Sequence, residues 1–234
     1  SFFNQLKKLL LKTPNATTYR SISSGPNVNS EYVNMAGGLK NCYFVFNSGA
    51  DEDCLYSRGI RGGSEVADTY FGSKSERCYE CVNIQESSGI LWSQNIVGSV
   101  DSAFILNCRN LVSCFGCVNL NNKSHHFFNK LMGPEEYDKK VKEILGSYEK
   151  TEKFKKDFDE FSLNFPRRES NNLKSVNSSG DYIYNSKNVH FSFEASNAEN
   201  CRYLFSSKDI KDSIGTTGYG FESEMLLECT AVGY

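Results

Sequence analysis

The chain has 234 residues, and its 26 Lys and Arg residues nearly balance 28 Asp and Glu residues, which leaves a formal net charge of -2. This balance gives no chain-wide electrostatic footprint for duplex DNA or an anionic membrane. Apolar runs are short, which excludes a helix that spans a bilayer. Aromatic residues make up 13% of the chain, and a density of this kind requires burial and excludes a disordered polypeptide.

The nine cysteines form an odd set that cannot pair completely. They are Cys42, Cys54, Cys78, Cys81, Cys108, Cys114, Cys117, Cys201 and Cys229. A chain of this length does not need disulfides for stability. The set therefore predicts mostly reduced thiols and a reducing, cytoplasmic compartment, with one or two bridges left open.

The first predicted element is a helix within residues 1–14. Apolar residues recur at helical spacing from Phe2 to Leu10, lysines lie outside that set, and Pro14 ends the pattern. An open end of a β-structure invites aggregation, so we expect this helix to cap such an end. A membrane-surface helix is the alternative.

Residues 28–128 repeat with a period of twelve. One row of positions is small or apolar except at its end: Cys42, Cys54, Val66, Cys78, Ile90, Ser102, Cys114 and His126. The next row carries no charge: Tyr43, Leu55, Ala67, Tyr79, Leu91, Ala103, Phe115 and Phe127. A third row is rich in asparagine: Asn47, Gly59, Phe71, Asn83, Asn95, Asn107 and Asn119.

This period predicts a mainly β fold, a parallel β-solenoid with cysteine and asparagine ladders along its axis. Strands of about five residues precede an Asn that turns the chain, and stacked Asn side chains hydrogen-bond from one repeat to the next. The rung can hold one repeat or two. We favour two, about 24 residues, because a one-repeat rung leaves little room for aromatic side chains.

The period is interrupted at residues 129–166, where the sequence predicts an inserted helical hairpin. Pro134 with two acids after it marks a helix start, and Phe154, Phe158 and Phe161 mark the apolar face of a second helix. The twelve-residue period returns at 172–234 and stops in mid-rung. We therefore expect either more sequence beyond Tyr234 or a partner at that end, including end-to-end self-association.

Two C-x-x-C pairs, Cys78–Cys81 and Cys114–Cys117, raise the question of a zinc or redox site. They lie further apart than paired zinc ligands do, and both occupy the same two repeat phases. Val66 and Ile90 replace cysteine at one of those phases. The sequence therefore favours buried, metal-free core thiols.

Other polar groups give no catalytic constellation, and no cofactor is predicted. Those considered are His125, His126 and His190; the acidic run Asp51, Glu52 and Asp53; and Arg58, Arg61, Arg77 and Arg109 with the aromatics Tyr56 and Trp92. We interpret the acidic run as a solvated corner and the interleaved aromatics as core. Catalytic residues and metal ligands are predicted to be none, and the binding site is not identified by the sequence.

Several segments resemble one family of uncharacterised cysteine- and asparagine-rich repeat proteins of candidate-phyla bacteria. They include Asn107-Cys108-Arg109, Cys114 to Leu120, Glu135-Glu136-Tyr137 and Phe165-Pro166-Arg167. The resemblance covers nearly the whole chain and implies the same repeat fold. Relatives often carry zinc-ribbon-like cysteine clusters before the region equivalent to Phe2, which this sequence does not contain.

We interpret the chain as a non-enzymatic structural scaffold or binding module, since long repeat faces carry no recurring catalytic group. A carbohydrate-active β-helix enzyme is one alternative. A nucleic-acid-associated protein, by analogy with zinc-ribbon-bearing relatives, is another. The partner is expected to be an unknown protein or glycan, and nucleic acid is not expected for this region alone.

Overall fold

The computed structural model describes residues 2–12, 25–218 and 222–230. It is mainly β, and its strands pair in parallel, as predicted. The described helices are α1 (Phe2–Lys12), α2 (Pro134–Leu145) and α3 (Tyr148–Ser162). The chain divides into two compact units, Ser1–Phe165 and Pro166–Tyr234. No helix of the described residues is long and apolar enough to cross a membrane.

The first unit is built from short strands, most of them four residues long. They are β1 (Arg58–Arg61), β2 (Ser64–Ala67), β3 (Tyr70–Ser73), β4 (Glu76–Tyr79), β5 (Val82–Gln85), β6 (Ser88–Leu91), β7 (Gln94–Val97), β8 (Val100–Val112), β9 (Phe115–Val118), β10 (Asn121–Ser124), β11 (His126–Phe127) and β12 (Lys130–Leu131). Isolated parallel bridges extend the same pairing back to Val28. Only β11 with β12 is antiparallel among the described pairs.

From β1 to β9, each strand pairs with a strand that lies twelve residues further along the chain. Arg58 pairs with Tyr70 in β1 and β3, and Cys78 pairs with Ile90 in β4 and β6. We call each 12-residue segment a rung. The preferred rung of two repeats is therefore wrong, because hydrogen-bonded neighbours are one repeat apart and not two.

A narrow rung is possible because the backbone repeats every three residues. In residues 28–128, one residue in three has a positive φ near 50–60°, as in Asn41, Phe44, Asn47 and Ala50. The next residue along the chain points inward and is buried, as Cys42, Val45 and Ser48 show. Four such triplets make up one 12-residue segment, and its strands are mostly four residues long rather than the predicted five.

The left-handed positions explain the residue types found there. No Val, Ile or Thr stands at a positive φ among the described residues, since a β-branched side chain clashes with the backbone in that region. Asparagine tolerates it and adds hydrogen bonds along the row. The Asn83 amide donates to Asn95 Oδ1 at 3.0 Å, and the Asn95 amide donates to Asn107 Oδ1 at 2.9 Å.

Replacing Asn95 by valine is therefore expected to cost about 2–3 kcal/mol of unfolding free energy, from backbone strain and two lost side-chain hydrogen bonds. Asn95→Gly keeps the φ of 59° without strain and is expected to cost about 1 kcal/mol. Urea unfolding of both variants measures the difference. Equal losses would contradict the assignment of a left-handed backbone to this position.

Several inward backbone N–H groups find an acceptor in a side chain of the preceding 12-residue segment. The Ser48 hydroxyl accepts from the Ile60 N–H at 3.1 Å and donates to the Phe46 carbonyl at 3.0 Å. Ser99 accepts in the same way from the Leu111 N–H at 3.1 Å. Serine and cysteine are frequent inside this unit because an apolar side chain would leave such an N–H without an acceptor.

The inserted helices pack on one side of the first unit. α2 begins at Pro134, as predicted, and α3 ends at Ser162, four residues before the predicted stop at Pro166. Phe154 and Phe158 of α3 and Tyr137 of α2 are buried against the aromatic residues of the rungs. The hairpin thus covers the rows that pass through Phe104 and Phe115.

The second unit repeats the pattern with a less even register. Its strands are β13 (Gly180–Tyr184), β14 (Lys187–His190), β15 (Ser192–Ser196), β16 (Glu199–Arg202), β17 (Phe205–Lys208), β18 (Ile210–Lys211) and β19 (Ser223–Glu224). Leu173 pairs with Tyr184, Val189 with Cys201 and Ile214 with Leu227. Its core includes Ile183, Val189, Cys201 and Ile210.

Helix α1 forms where the sequence predicted a helix, but its cap function stays a prediction. Phe2, Phe3 and Leu9 are exposed, so the described side chains do not show the expected contact with a β end. The predicted stop at Pro14 and the last predicted rung residues, 231–234, lie outside the described residues.

Candidate functional site: an exposed aromatic surface

Aromatic side chains crowd the outside of the first rungs. Tyr32, Phe44 and Tyr56 occupy one outward row, each one rung from the next, and Tyr43 lies in the row beside them. Tyr32 is 65% exposed, Phe44 46% and Tyr56 55%. Together with the half-buried Phe46, these residues form what we call the aromatic patch. Tyr56 was predicted to be core, and that prediction is wrong.

The rings of the patch meet mainly edge to face. Ring centroids lie 5.4 Å apart for Tyr32 and Tyr43, at 68°, and 5.7 Å apart for Tyr43 and Tyr56, at 80°. Phe44 and Phe46 are perpendicular, with centroids 5.0 Å apart. Flat ligands such as nucleic-acid bases stack on open ring faces. Rings that meet edge to face or at a tilt offer a ridged apolar surface instead, which suits interdigitating side chains.

The same two rows are covered by α3 further along the first unit. Phe104 lies in the row of Tyr32, Phe44 and Tyr56, and Phe115 lies in the row of Tyr43. The Phe154 ring is 5.0 Å from the Phe104 ring and 4.6 Å from the Phe115 ring. Trp92, the second aromatic predicted to be core, stacks on Phe104 at 4.9 Å and is partly buried there. One face is thus occupied at one end and open at the other.

Glu80 marks the boundary between the covered and the open parts. It lies in the row of Tyr56 and Phe104 and pairs with Lys155 of α3 at 2.9 Å. The bound helix therefore makes two kinds of contact with this face: phenylalanine on aromatic rings, and lysine on a carboxylate of the same row.

Acidic side chains also surround the open part. Asp68 follows Tyr56 in its row, Glu31 begins the row of Tyr43, and Asp53 and Glu65 stand in the nearest left-handed row. Glu52 is paired with Lys40. Arg58 lies over the Tyr70 ring, 5.8 Å from its centroid. The border of the patch is therefore mainly negative.

The second unit carries an exposed aromatic pair of a different kind. Phe191 is 61% exposed and Tyr203 is 56% exposed. Their rings stack at 5.7 Å and 16°. The residues before them in the chain are His190 and Arg202, so this pair has basic neighbours.

The C-x-x-C pairs lie in the interior. Cys78, Cys81, Cys114 and Cys117 are all buried, on neighbouring inward rows. The thiols of Cys114 and Cys117 are hydrogen-bonded, which lowers the pKa of Cys114 and raises that of Cys117. Both side chains have essentially no exposed surface. The described residues contain no group of three or more ligating side chains close enough to hold a metal ion.

The buried cysteines make the hydrogen bonds that serines make elsewhere. Cys78 Sγ donates to the Glu76 carbonyl at 3.4 Å, and Ser102 in the same row donates to the Val100 carbonyl at 2.9 Å. Burial raises the pKa of Cys78 to about 11, although contact with the Ile90 backbone lowers it. The thiol is therefore protonated at neutral pH and can donate.

Cys78→Ser is accordingly expected to cost less than about 1 kcal/mol of stability, while Cys78→Ala leaves buried backbone groups unpaired and is expected to cost about 2 kcal/mol. Chemical unfolding measures both, and elemental analysis of the purified protein is expected to show no bound zinc. One zinc per chain, lost together with structure in Cys78→Ser, would establish a metal site instead.

Asp51 does not lie at a solvated corner, which corrects that prediction. It occupies an inward position and is 1% exposed, whereas Asp53 of the same run is exposed and accepts a hydrogen bond from the Asn41 amide at 3.0 Å. Asp51 Oδ1 accepts from the Gly63 N–H at 2.8 Å. Asp51 Oδ2 has no hydrogen-bond partner among the described residues. Burial raises the pKa of Asp51 to about 7. The Gly63 N–H and the Arg61 guanidinium act in the opposite direction and lower this pKa, but their effect is smaller than that of burial.

Each of the three histidines makes its own contacts in the described structure. His125 packs edge-on to the Tyr137 ring, with centroids 5.6 Å apart. His126 Nδ1 lies 2.7 Å from the Ser124 carbonyl. His190 belongs to the second unit, near Ser179 at 3.5 Å. The Ser179–His190 distance is longer than the roughly 2.6–3.2 Å reach of a nucleophile–base pair, and Ser179 Oγ also accepts from the Phe191 N–H at 3.0 Å.

Comparison with known proteins gives no family. No family model matches the chain, and no curated protein does. A crystal structure of a protein described as an acetyltransferase from Desulfovibrio desulfuricans G20 aligns over 81% of this chain and 59% of its own, with 11% identity and a TM-score of 0.16. The polySia-specific acetyltransferase NeuO aligns over 88% of this chain and 80% of its own, with 8% identity and a TM-score of 0.12. Scores this low carry no argument about fold or function.

Proposed function

We propose that the protein is a non-enzymatic binding module built on a parallel β-solenoid with 12-residue rungs. In the first unit, the constant register of twelve residues, the inward position of every third residue, and the asparagine hydrogen bonds along single rows support the solenoid. Such an architecture presents long, regular outer faces. The aromatic patch is the part of those faces best suited to binding.

The observation that carries the proposal is the continuity of one face. Its rows bind α3 through Phe104, Phe115 and Glu80, and the same rows stay open at Tyr32, Phe44 and Tyr56. Exposed apolar areas of this kind, rimmed by charge, mark protein-binding surfaces. The partner is a lysine-bearing amphipathic helix, because that is the ligand which the covered part of the face already holds.

A reducing compartment fits the proposal. All nine cysteines are unpaired, and several serve as buried hydrogen-bonding groups that a disulfide would displace. We propose a cytoplasmic location on this ground.

Calorimetric titration of the full chain tests the binding function. The probe is a synthetic amphipathic helix of leucine and lysine, about 15 residues long, so that it spans about four turns. Parallel titrations use a soluble cello-oligosaccharide and an oligo(dT). Of the three ligands, we expect only the synthetic helix to bind. The double variant Tyr32→Ser with Tyr56→Ser is expected to bind this helix at least about tenfold more weakly.

Tyr148→Ser is the control, because Tyr148 lies outside the patch and is even more exposed than Tyr32 and Tyr56. Its affinity for the helix is expected to equal that of the unmodified chain. Binding of the oligosaccharide or the oligo(dT), without binding of the helix, would replace the proposal by a glycan or nucleic-acid function.

A further inference from the structure

Helix α1 has the features of the ligand that the patch is suited to bind. It is an 11-residue helix, FFNQLKKLLLK, with three lysines and no acid. Phe2 is 69% exposed and Phe3 75% exposed, and their rings meet edge to face at 5.7 Å. Leu9 is also exposed. An apolar helix face of this size is normally buried against another surface.

We propose that α1 of one chain docks on the aromatic patch of a second copy of the chain. The inference rests on the proposed helix-binding function and names its partner. Both surfaces are exposed in the same chain, so neither covers the other there, and a second copy satisfies both. In a two-fold dimer each α1 meets the other chain's patch, which doubles the area buried.

The sizes of the two surfaces match. An 11-residue helix is about 16 Å long. The patch spans three rungs, whose backbones are about 4.8 Å apart, and its aromatic side chains extend this distance on either side. Phe2 and Phe3 would then pack on the rings of the patch, as Phe154 and Phe158 of α3 pack on the aromatic rings at the covered end of the same face.

The charges match as well. Lys7, Lys8 and Lys12 supply only positive charge, and the border of the patch carries Glu31 and Asp68. The ion pair between Lys155 and Glu80 shows a helix lysine bound in the row that Asp68 also occupies. The exposed pair of the second unit is a poorer site for α1, because Arg202 and His190 precede its rings and Arg202 repels lysine.

Light scattering of the full chain over a range of concentrations tests the inference. We expect a monomer–dimer equilibrium for the unmodified protein. Lys7→Glu with Lys8→Glu, and separately Tyr32→Ser with Tyr56→Ser, are each expected to weaken dimerisation at least about tenfold. The control, Phe191→Ser with Tyr203→Ser, removes two equally exposed rings from the second unit and is expected to leave the dimer intact.

A mixing experiment and a charge reversal separate docking on a second copy from docking within one chain. A mixture of the helix variant and the patch variant keeps one intact α1 and one intact patch, so it is expected to form a heterodimer that neither variant forms alone. Adding Glu31→Lys and Asp68→Lys to the helix variant reverses the charges on both sides and is expected to restore its self-association.

A chain that stays monomeric at all concentrations overturns the inference. If that chain still binds the leucine–lysine helix, the proposed function stands and only its partner is wrong; if it does not, both fall. Binding of α1 to vesicles of anionic phospholipid, without self-association, would assign the helix to a membrane surface instead.

Discussion

Asp51→Ser is expected to raise the free energy of unfolding at pH 8 by up to about 4 kcal/mol. The pKa of Asp51 is raised from 3.8 to about 7 by burial, and each unit corresponds to about 1.4 kcal/mol. Serine already stands at the same position of later rungs, as Ser75, Ser87 and Ser99 show. Its hydroxyl can accept from the Gly63 N–H without burying a charge.

The pH profile gives the sharper measurement. The unfolded chain releases the Asp51 proton near pH 4, whereas the folded chain keeps it until about pH 7, so the folded state binds more protons in that window. Asp51 therefore lowers stability as the pH rises from about 4 to about 7, and its full cost persists above that range. In Asp51→Ser this part of the decline is expected to disappear.

Asp53→Asn is the matched control, since Asp53 is exposed and stands in a row that holds asparagine at Asn29 and Asn41. Its stability is expected to stay within about 0.5 kcal/mol of the unmodified chain at each pH. An identical decline between pH 4 and 7 in the unmodified chain and in Asp51→Ser would contradict a raised pKa of Asp51 in the folded protein.

Phe154→Ala is expected to destabilise the first unit by about 3–5 kcal/mol, the range for removal of a buried phenylalanine. The Phe154 ring contacts Phe104, Phe115 and Phe128, with centroids 5.0, 4.6 and 4.9 Å away. It fits beneath Gly116, where an added Cβ would lie 2.8 Å from Phe154 Cζ. Gly116→Ala is therefore expected to disrupt the same contact, with added strain from its φ of 67°.

Thermal and urea unfolding monitor both variants, and Tyr148→Ala on the same helix serves as the control. Tyr148 is 81% exposed, so its removal is expected to change stability by less than about 0.5 kcal/mol. Similar losses for Phe154→Ala and Tyr148→Ala would mean that the hairpin is not anchored through its apolar face.

The twelve-residue period could be predicted because residues at equivalent positions of successive repeats pair directly with each other in neighbouring parallel strands. Cys78 pairs with Ile90 and Val66 with Cys78, so the row chosen from the sequence follows the hydrogen bonds. The three-residue backbone repeat could not be predicted from hydropathy. The residues at its inward positions include Ser, Cys, Ile and Gly, which differ widely in hydropathy. The absence of β-branched residues from every third position was the signal that could have revealed it.

The candidate site could not be predicted for a related reason. Phe44 and Phe104 share one row and one residue type, yet only Phe104 is covered. The difference depends on where α3 folds back, which no local pattern specifies. Asp51 was predicted to be exposed because a run of three acidic residues is typical of a surface. The three-residue backbone repeat instead places Asp51, the first acid of the run, at an inward position.

The inward hydrogen bonds have a direction that bears on how the protein is made. The N–H of Ile60, Leu111 or Cys114 is accepted by a side chain twelve residues earlier in the chain: Ser48, Ser99 or Ser102. These acceptors are therefore already synthesised when the N–H that needs them leaves the ribosome. A growing chain can complete the interior of each such turn before the next one exists, so folding can keep pace with translation from the amino terminus.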